Sequence, residues 1–288
     1  MPIALLPDRA VIVIAGEEAA SFLQGVVTCN IETLEPGEAR LGGLLTPQGK
    51  ILFDFLIWRS GEGFRLDCPA DQAPALAKRL TLYRLRAKVT IAVDPTLGLA
   101  AAWDGAETGG GKAVPGTERL RDGRLPALGE RLVFAEGAFS ADATEADYHA
   151  HRIALGIPEG GRDFAYGDAF PHEALMDQLA GVDFRKGCYV GQEVVSRMQH
   201  RGTARTRIVP VVSRDGEAVS SGAEVTAGPR GLGTVGSVAG ARGLAMLRLD
   251  RLADAVAAGE PVRTGATILG VEKPSFAIFA FPEVTPAG

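Results

Sequence analysis

Apolar positions recur along this chain with two periods, two and about 3.6, and each change of period marks an element. The run Val11-Ile12-Val13-Ile14 leads a strand to Ala15, and Glu17–Val27 then sets Phe22, Leu23 and Val26 on one side of a short helix. Leu41–Thr46 and Ile51–Arg59 read as strands joined by the turn Thr46-Pro47-Gln48-Gly49. Proline and glycine favour such a turn, so the pair predicts a hairpin. Gly63–Cys68 is a further strand, and Ala73, Leu76, Ala77 and Leu80 recur at helical spacing within Ala70–Leu82. Val89–Val93 and Leu97–Ala102 are strands, and residues 104–130, rich in Gly, Pro and charge, read as a crossover loop. Leu132–Phe134 is a strand, and Thr144 caps a helix running to Leu155.

Turn residues dominate Gly156–Gly167, and a helix from Gly191 to His200 is expected to bury Val190, Val194 and Met198. From Arg205 the texture changes. Short apolar runs at Ile208–Val212, Glu224–Thr226, Thr234–Val238, Gly243–Arg248 and Phe276–Phe281 alternate with glycine turns. That spacing predicts a small all-β barrel, and the fold class is α+β with a C-terminal barrel.

Composition narrows the class. With 288 residues, 46% hydrophobic and 23% charged, the chain is an ordinary globular protein of more than one subdomain. No apolar run approaches the roughly eighteen residues of a membrane span. Asp8 and Arg9 interrupt the N-terminus before its first apolar run, which makes a poor secretory signal. Cys29, Cys68 and Cys188 are odd in number and far apart, which fits a reducing cytoplasm better than a disulfide framework. There is no CxxC or HxxxH, and His149 and His151 point to opposite faces of a strand. A metal site or a four-cysteine cluster held by this chain alone is not expected.

One stretch stands out chemically: Lys186-Gly187-Cys188-Tyr189-Val190-Gly191-Gln192-Glu193. It sets a thiol beside a cation near a helix start, where a thiolate is favoured, and between glycines that let a flat ligand approach. A small buried cysteine is the bland alternative. From Arg185 to Arg207 the chain carries six Lys/Arg and one acid, Glu193, although its net charge is −5. A basic island on an acidic protein suits a local anionic ligand, or a solvated helix face that Glu193 and Arg197 support at i,i+4. Two other motifs fail. Gly231-Leu232-Gly233-Thr234-Val235-Gly236 matches the dinucleotide fingerprint in letters, but no helix pattern opens within it. Gly109-Gly110-Gly111-Lys112 lacks the Ser/Thr that a phosphate loop places after its lysine.

The octapeptide and its Arg/Gly-rich continuation resemble the signature of the YgfZ-type folate-binding proteins. These are relatives of the glycine-cleavage T-protein that act in iron–sulfur cluster assembly or repair. Five further blocks follow in order: Phe22–Thr28, Thr46–Lys50, Leu82–Val89, Gly156-Ile157-Pro158 and Phe170-Pro171-His172-Glu173. The resemblance implies a T-protein-like cloverleaf of two intertwined α+β subdomains, over residues 1–204, plus the small β-barrel, over 205–288. It implies tetrahydrofolate, with or without a polyglutamate tail, as cofactor. Glu173 is the implied carboxylate for the pterin edge, with Asp54 and Arg197 also at the folate. Cys188 is the implied reactive thiol with Lys186 assisting it, in a motif completed by Gly187, Tyr189, Gly191, Gln192 and Glu193. Transient iron–sulfur client or scaffold proteins are the implied partners. The T-protein carries two successive acids where this chain has Phe53-Asp54, and its counterpart of the octapeptide lacks the cysteine. Folate-dependent aminomethyl transfer is therefore the alternative reading. An RNA-contacting role is disfavoured, since Tyr189 alone interleaves the basic residues.

Overall fold

The computed structural model describes residues 2–103, 116–135, 137, 140–202 and 204–282. Alternation predicts twelve strands, and most form where one face of a sheet meets a core. Strands β1 (Ile3–Leu5), β2 (Arg9–Ala15) and helix α1 (Ala19–Val26) open the chain. Next come β3 (Glu38–Leu45), β4 (Ile51–Ser60), β5 (Gly63–Pro69), α2 (Ala73–Arg84), β6 (Thr90–Asp94) and β7 (Leu97–Ala102). Then follow β8 (Glu118–Asp122), β9 (Glu130–Ala135) and α3 (Glu145–Leu155). Strands β1 to β9 make one sheet in the order β1-β7-β9-β8-β3-β4-β5-β2-β6. Its pairs are antiparallel except β3 with β8. Phe22, Leu23 and Val26 of α1 and Leu76 and Leu80 of α2 pack with Ile12, Ile14, Phe55, Ile57 and Leu66 into one core.

By its contacts the chain divides into two compact units. The first comprises Met1–Tyr148 and Leu179–Glu193, and the second His149–Gln178 and Val194–Gly288. In the first, Asp67 on β5 is fully buried and meets Arg9 on β2 at 2.6 Å and Arg131 on β9 at 3.0 Å. Thr144 and Asp147 cap α3 reciprocally. The Thr144 N–H donates to Asp147 Oδ2 at 2.8 Å, and the Asp147 N–H to Thr144 Oγ1 at 3.2 Å, as in a capping box.

The second unit holds the closed barrel. Helix α4 (Gln192–Arg201) leads to β10 (Thr206–Ser213), β11 (Glu224–Ala227), β12 (Arg230–Ala239) and β13 (Arg242–Arg248). Helix α5 (Leu249–Ala257) and strands β14 (Val262–Thr264) and β15 (Thr267–Val271) complete it, in the order β10-β13-β12-β11-β14-β15. Val209, Val211, Val225, Leu247 and Leu252 fill its core. The glycine fingerprint lies inside β12, where a Cβ on Gly233 would fall 1.8 Å from the carbonyl oxygen of Met246. Strand approach, and not a phosphate, requires that glycine.

Three expectations need correction. Phe276–Phe281 is not a strand: Phe279 and Phe281 pack on the barrel core from an irregular segment, while β14 and β15 close the barrel. Of the expected crossover loop, residues 104–115 lie outside the described ones, and the remainder contains β8 and a 3-10 turn at Pro126–Leu128. In α4 the fully buried residue is Val195, whereas Val190, Val194 and Met198 are half-buried. Turns fill 171–180, ahead of the octapeptide. Among the described residues, no helix is long and apolar enough to cross a membrane.

Candidate functional site

The octapeptide sits at the end of a loop that hydrogen bonds hold from beneath. Asp183 begins it as an Asx turn, its Oδ1 accepting the N–H groups of Arg185 at 2.7 Å and Lys186 at 3.2 Å. Asn30 Nδ2 donates to the other oxygen of Asp183 at 2.9 Å, and the Asp183 N–H donates to the Thr28 carbonyl at 3.0 Å. The Thr28 hydroxyl donates to the Gly181 carbonyl at 2.6 Å and accepts the Gly43 N–H at 2.8 Å. The loop is thereby laced to residues 27–30 after α1 and, through them, to β3.

Lys186 completes this lacing. Its Nζ donates to the carbonyls of Val27 at 2.6 Å and Cys29 at 2.7 Å, and lies 5.3 Å from the centroid of the Tyr189 ring. Burial pushes its pKa down from 10.5 to about 8, against the opposing pull of Cys29, Asp183 and Glu32. The ammonium is directed at backbone carbonyls, so its role here is to position the loop. Tyr189 is buried too, and among the described residues its hydroxyl has no hydrogen-bond partner. Burial, with Asp183 nearby, raises its pKa.

Cys188, by contrast, is exposed. Gly187 beside it is exposed, with open space where a Cβ would stand. Cys29 and Cys68 are buried, and burial lifts their thiols to about 11 and about 12. A Cβ on Gly42 would lie 2.8 Å from Cys29 Sγ, so β3 makes room for that thiol as a packed atom.

Gly191 closes the loop against the hairpin between β3 and β4. It has φ +81°, and a Cβ there would lie 2.4 Å from the Thr46 carbonyl oxygen and 3.2 Å from Gly49 Cα. Gln192 then starts α4, its Oε1 accepting the Tyr189 N–H at 3.3 Å. Glu193 is exposed in the first turn of the helix, where a carboxylate complements the helix dipole. Asp54 is half-buried on β4, opposite Gly43 of β3. All these residues belong to the first unit. Thr28, Asn30 and Asp183 were not anticipated, although an Asp three residues before Lys186 is a readable turn signal.

Glu173 and Arg197 belong to the second unit. Glu173 Oε2 accepts the Phe170 N–H at 2.8 Å, which fixes the carboxylate at the start of a turn. His172 is buried, its Nε2 lying 3.0 Å from Gln199 Oε1 on α4, and burial holds its pKa below 6.5. Arg207 on β10 donates to the His172 carbonyl at 2.7 Å and to Asp177 at 2.6 Å. Arg197 is exposed on α4.

The fold is that of the aminomethyltransferases: aminomethyltransferase T of the glycine cleavage system from Bartonella henselae superposes with a TM-score of 0.74 at 18% identity. That likeness covers 96% of this chain and 86% of the other. Residues 205–277 match the family described as CAF17, C-terminal beta-barrel domain. Within this class, the chain belongs to the family of the mitochondrial iron–sulfur cluster assembly factor IBA57. It is 33% identical to the Homo sapiens protein over 277 residues, covering 86% of this chain and 77% of that one. The Pyricularia oryzae homolog is 33% identical over 288 residues, 89% and 74% of the two chains. The Neurospora crassa homolog is 36% identical over 236 residues, and the match spans about half, 52%, of that longer protein. These names correct one expectation: every one of these relatives is named mitochondrial, which overturns the cytoplasmic placement drawn from cysteine usage. Free, unpaired cysteines report a reducing environment and do not distinguish one such compartment from another.

Proposed function

We propose that this chain is an iron–sulfur cluster assembly factor of the YgfZ type, which presents one exposed thiol, Cys188, to iron–sulfur partners and binds a reduced folate. The observation that carries this reading is the contrast among the three cysteines. Two are sealed in the fold, and the third stands exposed on a loop that Lys186 and Asp183 hold in place. A single thiol supplies one cluster ligand as its thiolate, releasing its proton to water; the remaining ligands belong to the partner. Family membership supports the assembly role. Cells lacking the protein should lose iron–sulfur enzyme activity; Cys29→Ala should restore it and Cys188→Ala should not. Full rescue by Cys188→Ala would remove the thiol from the mechanism.

Tetrahydrofolate is the proposed cofactor, and the donor set suits it. A pterin presents paired N–H donors, which a carboxylate accepts. The Phe170 N–H donates to Glu173 Oε2 and orients the group, and each carboxylate oxygen can accept more than one bond. Arg197, in the second unit with Glu173, is the further folate residue of this reading. Calorimetry with tetrahydrofolate should show binding that Glu173→Ala weakens; absence of heat at millimolar ligand would end the folate claim and leave the thiol claim standing. Aminomethyl transfer is the second reading, favoured by the fold and by Asp54 on β4, and turnover with an aminomethyl donor would establish it.

A further inference from the structure

The last turn of α2, the loop after it and strand β6 form a second surface, which the cysteine chemistry does not use. Between Asp71 and Asp94 the sequence holds five cations, Lys78, Arg79, Arg84, Arg86 and Lys88, and no acid. On an acidic chain this is the second basic island. Lys78, Arg79, Leu82 and Leu85 share the solvent face of α2 and its C-cap, opposite the buried Ala73, Leu76 and Leu80. Among the described residues, Lys78, Arg79 and Arg86 have no acidic partner, whereas Lys88 pairs with Glu17.

Two leucines stand in this charge. Leu82 is 61% exposed and Leu85 85% exposed. Leu85 also has φ +51°, a left-handed conformation that branched side chains rarely adopt. The loop imposes it. Arg84 donates to the Val89 carbonyl at 2.8 Å, Ala87 N–H to the Arg84 carbonyl at 2.9 Å, and Lys88 N–H to Glu18 at 2.7 Å. The leucine is thus displayed by an ordered turn. A groove of about 560 Å³ runs along residues 84–90 to Ala15 and Gly16. It ends at β6, which among the described residues pairs only with β2 and is the last strand of its sheet. Three residues beyond Thr90, β6 shows Val93 to solvent.

We infer that this edge docks an acidic segment of a partner polypeptide, added to β6 as an extra strand. An open edge offers a row of backbone donors and acceptors that another chain can satisfy. Leu82, Leu85 and Val93 supply apolar contact, and the unpaired Lys78, Arg79 and Arg86 select acidic side chains. A second copy of this chain is disfavoured, because edge-to-edge pairing would bring two sets of five cations together. An anionic bilayer would meet the charge but offers no backbone groups to the strand edge.

The test uses the full chain and a fluorescent eight-residue peptide alternating Val and Glu, beside its Val/Lys counterpart. Anisotropy should show the acidic peptide binding at least about tenfold more tightly, with affinity falling as salt rises. Leu85→Asp and Arg86→Glu should each lower that affinity about tenfold while the melting curve stays in place, as suits exposed positions. Amide resonances of Thr90–Asp94 should shift on binding. Equal affinity for the two peptides, no binding, or insensitivity to both variants would overturn the inference. Tighter binding to phosphatidylserine vesicles than to the peptide would also overturn it, assigning the patch to a membrane surface.

Discussion

Lys186 Nζ reaches the carbonyl of Cys29, 157 residues earlier in the chain, at 2.7 Å. The bond ties the thiol-bearing loop to the segment after α1, and it has a pH signature. In the unfolded chain the lysine titrates near 10.5, and in the folded chain near 8. Between those values the unfolded state binds the extra proton, so this group makes stability rise with pH from about 8 to 10.5. Urea unfolding at pH 7.5 and pH 10 should show a gain of about 1–3 kcal/mol relative to Lys186→Met. Parallel pH profiles for the two proteins would refute the assignment. A neutral amine still has two N–H donors for the two carbonyls.

His172 acts in the same sense on the acid side. Its folded pKa is depressed by burial, so below 6.5 the unfolded state takes up the proton first. Stability from this group is intact above 6.5 and is lost as pH falls toward the lower folded value. The melting temperature of the wild type should therefore drop between pH 6.5 and 5 more steeply than that of His172→Gln. Identical slopes would show that the imidazole is not the titrating group.

Two glycines of the same octapeptide should answer differently to alanine. Gly191→Ala places a methyl 2.4 Å from the Thr46 carbonyl oxygen at a left-handed backbone, and should cost at least about 1–3 kcal/mol. Gly187→Ala meets open space and should stay within about 0.5 kcal/mol. Denaturant midpoints compare the two directly, and equal losses would contradict the hairpin contact.

Asp67, fully buried between Arg9 and Arg131, is the strongest test of the first unit. Removing it takes a carboxylate from two buried cations, Arg131 keeping Asp122 at 3.9 Å, so Asp67→Ala should destabilise by about 3–5 kcal/mol. A thermal melt within a degree or two of wild type would show that the pairing contributes nothing.

Alkylation at neutral pH should label one cysteine in the folded protein and three in denaturant, by intact mass. Cys29 and Cys68 are both buried and held protonated, at about 11 and about 12. Peptide mapping that finds the first label on either would refute the division of roles.

Much of the fold is legible because half-buried strands and helices announce themselves by period. Phe22, Leu23 and Val26 mark the inner face of α1, and Pro47 and Gly49 mark the hairpin. Strand β8, Glu-Arg-Leu-Arg-Asp, escapes such reading: it buries Leu120 and an ion-paired Asp122, and owes its conformation to β9 and β3 beside it. Helix α5 escapes because Leu249, Leu252 and Ala255 lie inside a stretch whose glycine turns point to strands. At the site, Cys188 and its glycines stand out in the letters. The duty of Lys186 does not, because its targets are backbone carbonyls, which have no signature in sequence.

The burial of Cys29 and Cys68 gives the folded molecule a valence of one. Two folded copies that oxidise through Cys188 make a dimer and stop, since neither has a second accessible thiol with which to grow a chain. Higher disulfide-linked species on a non-reducing gel would thus count molecules that have opened.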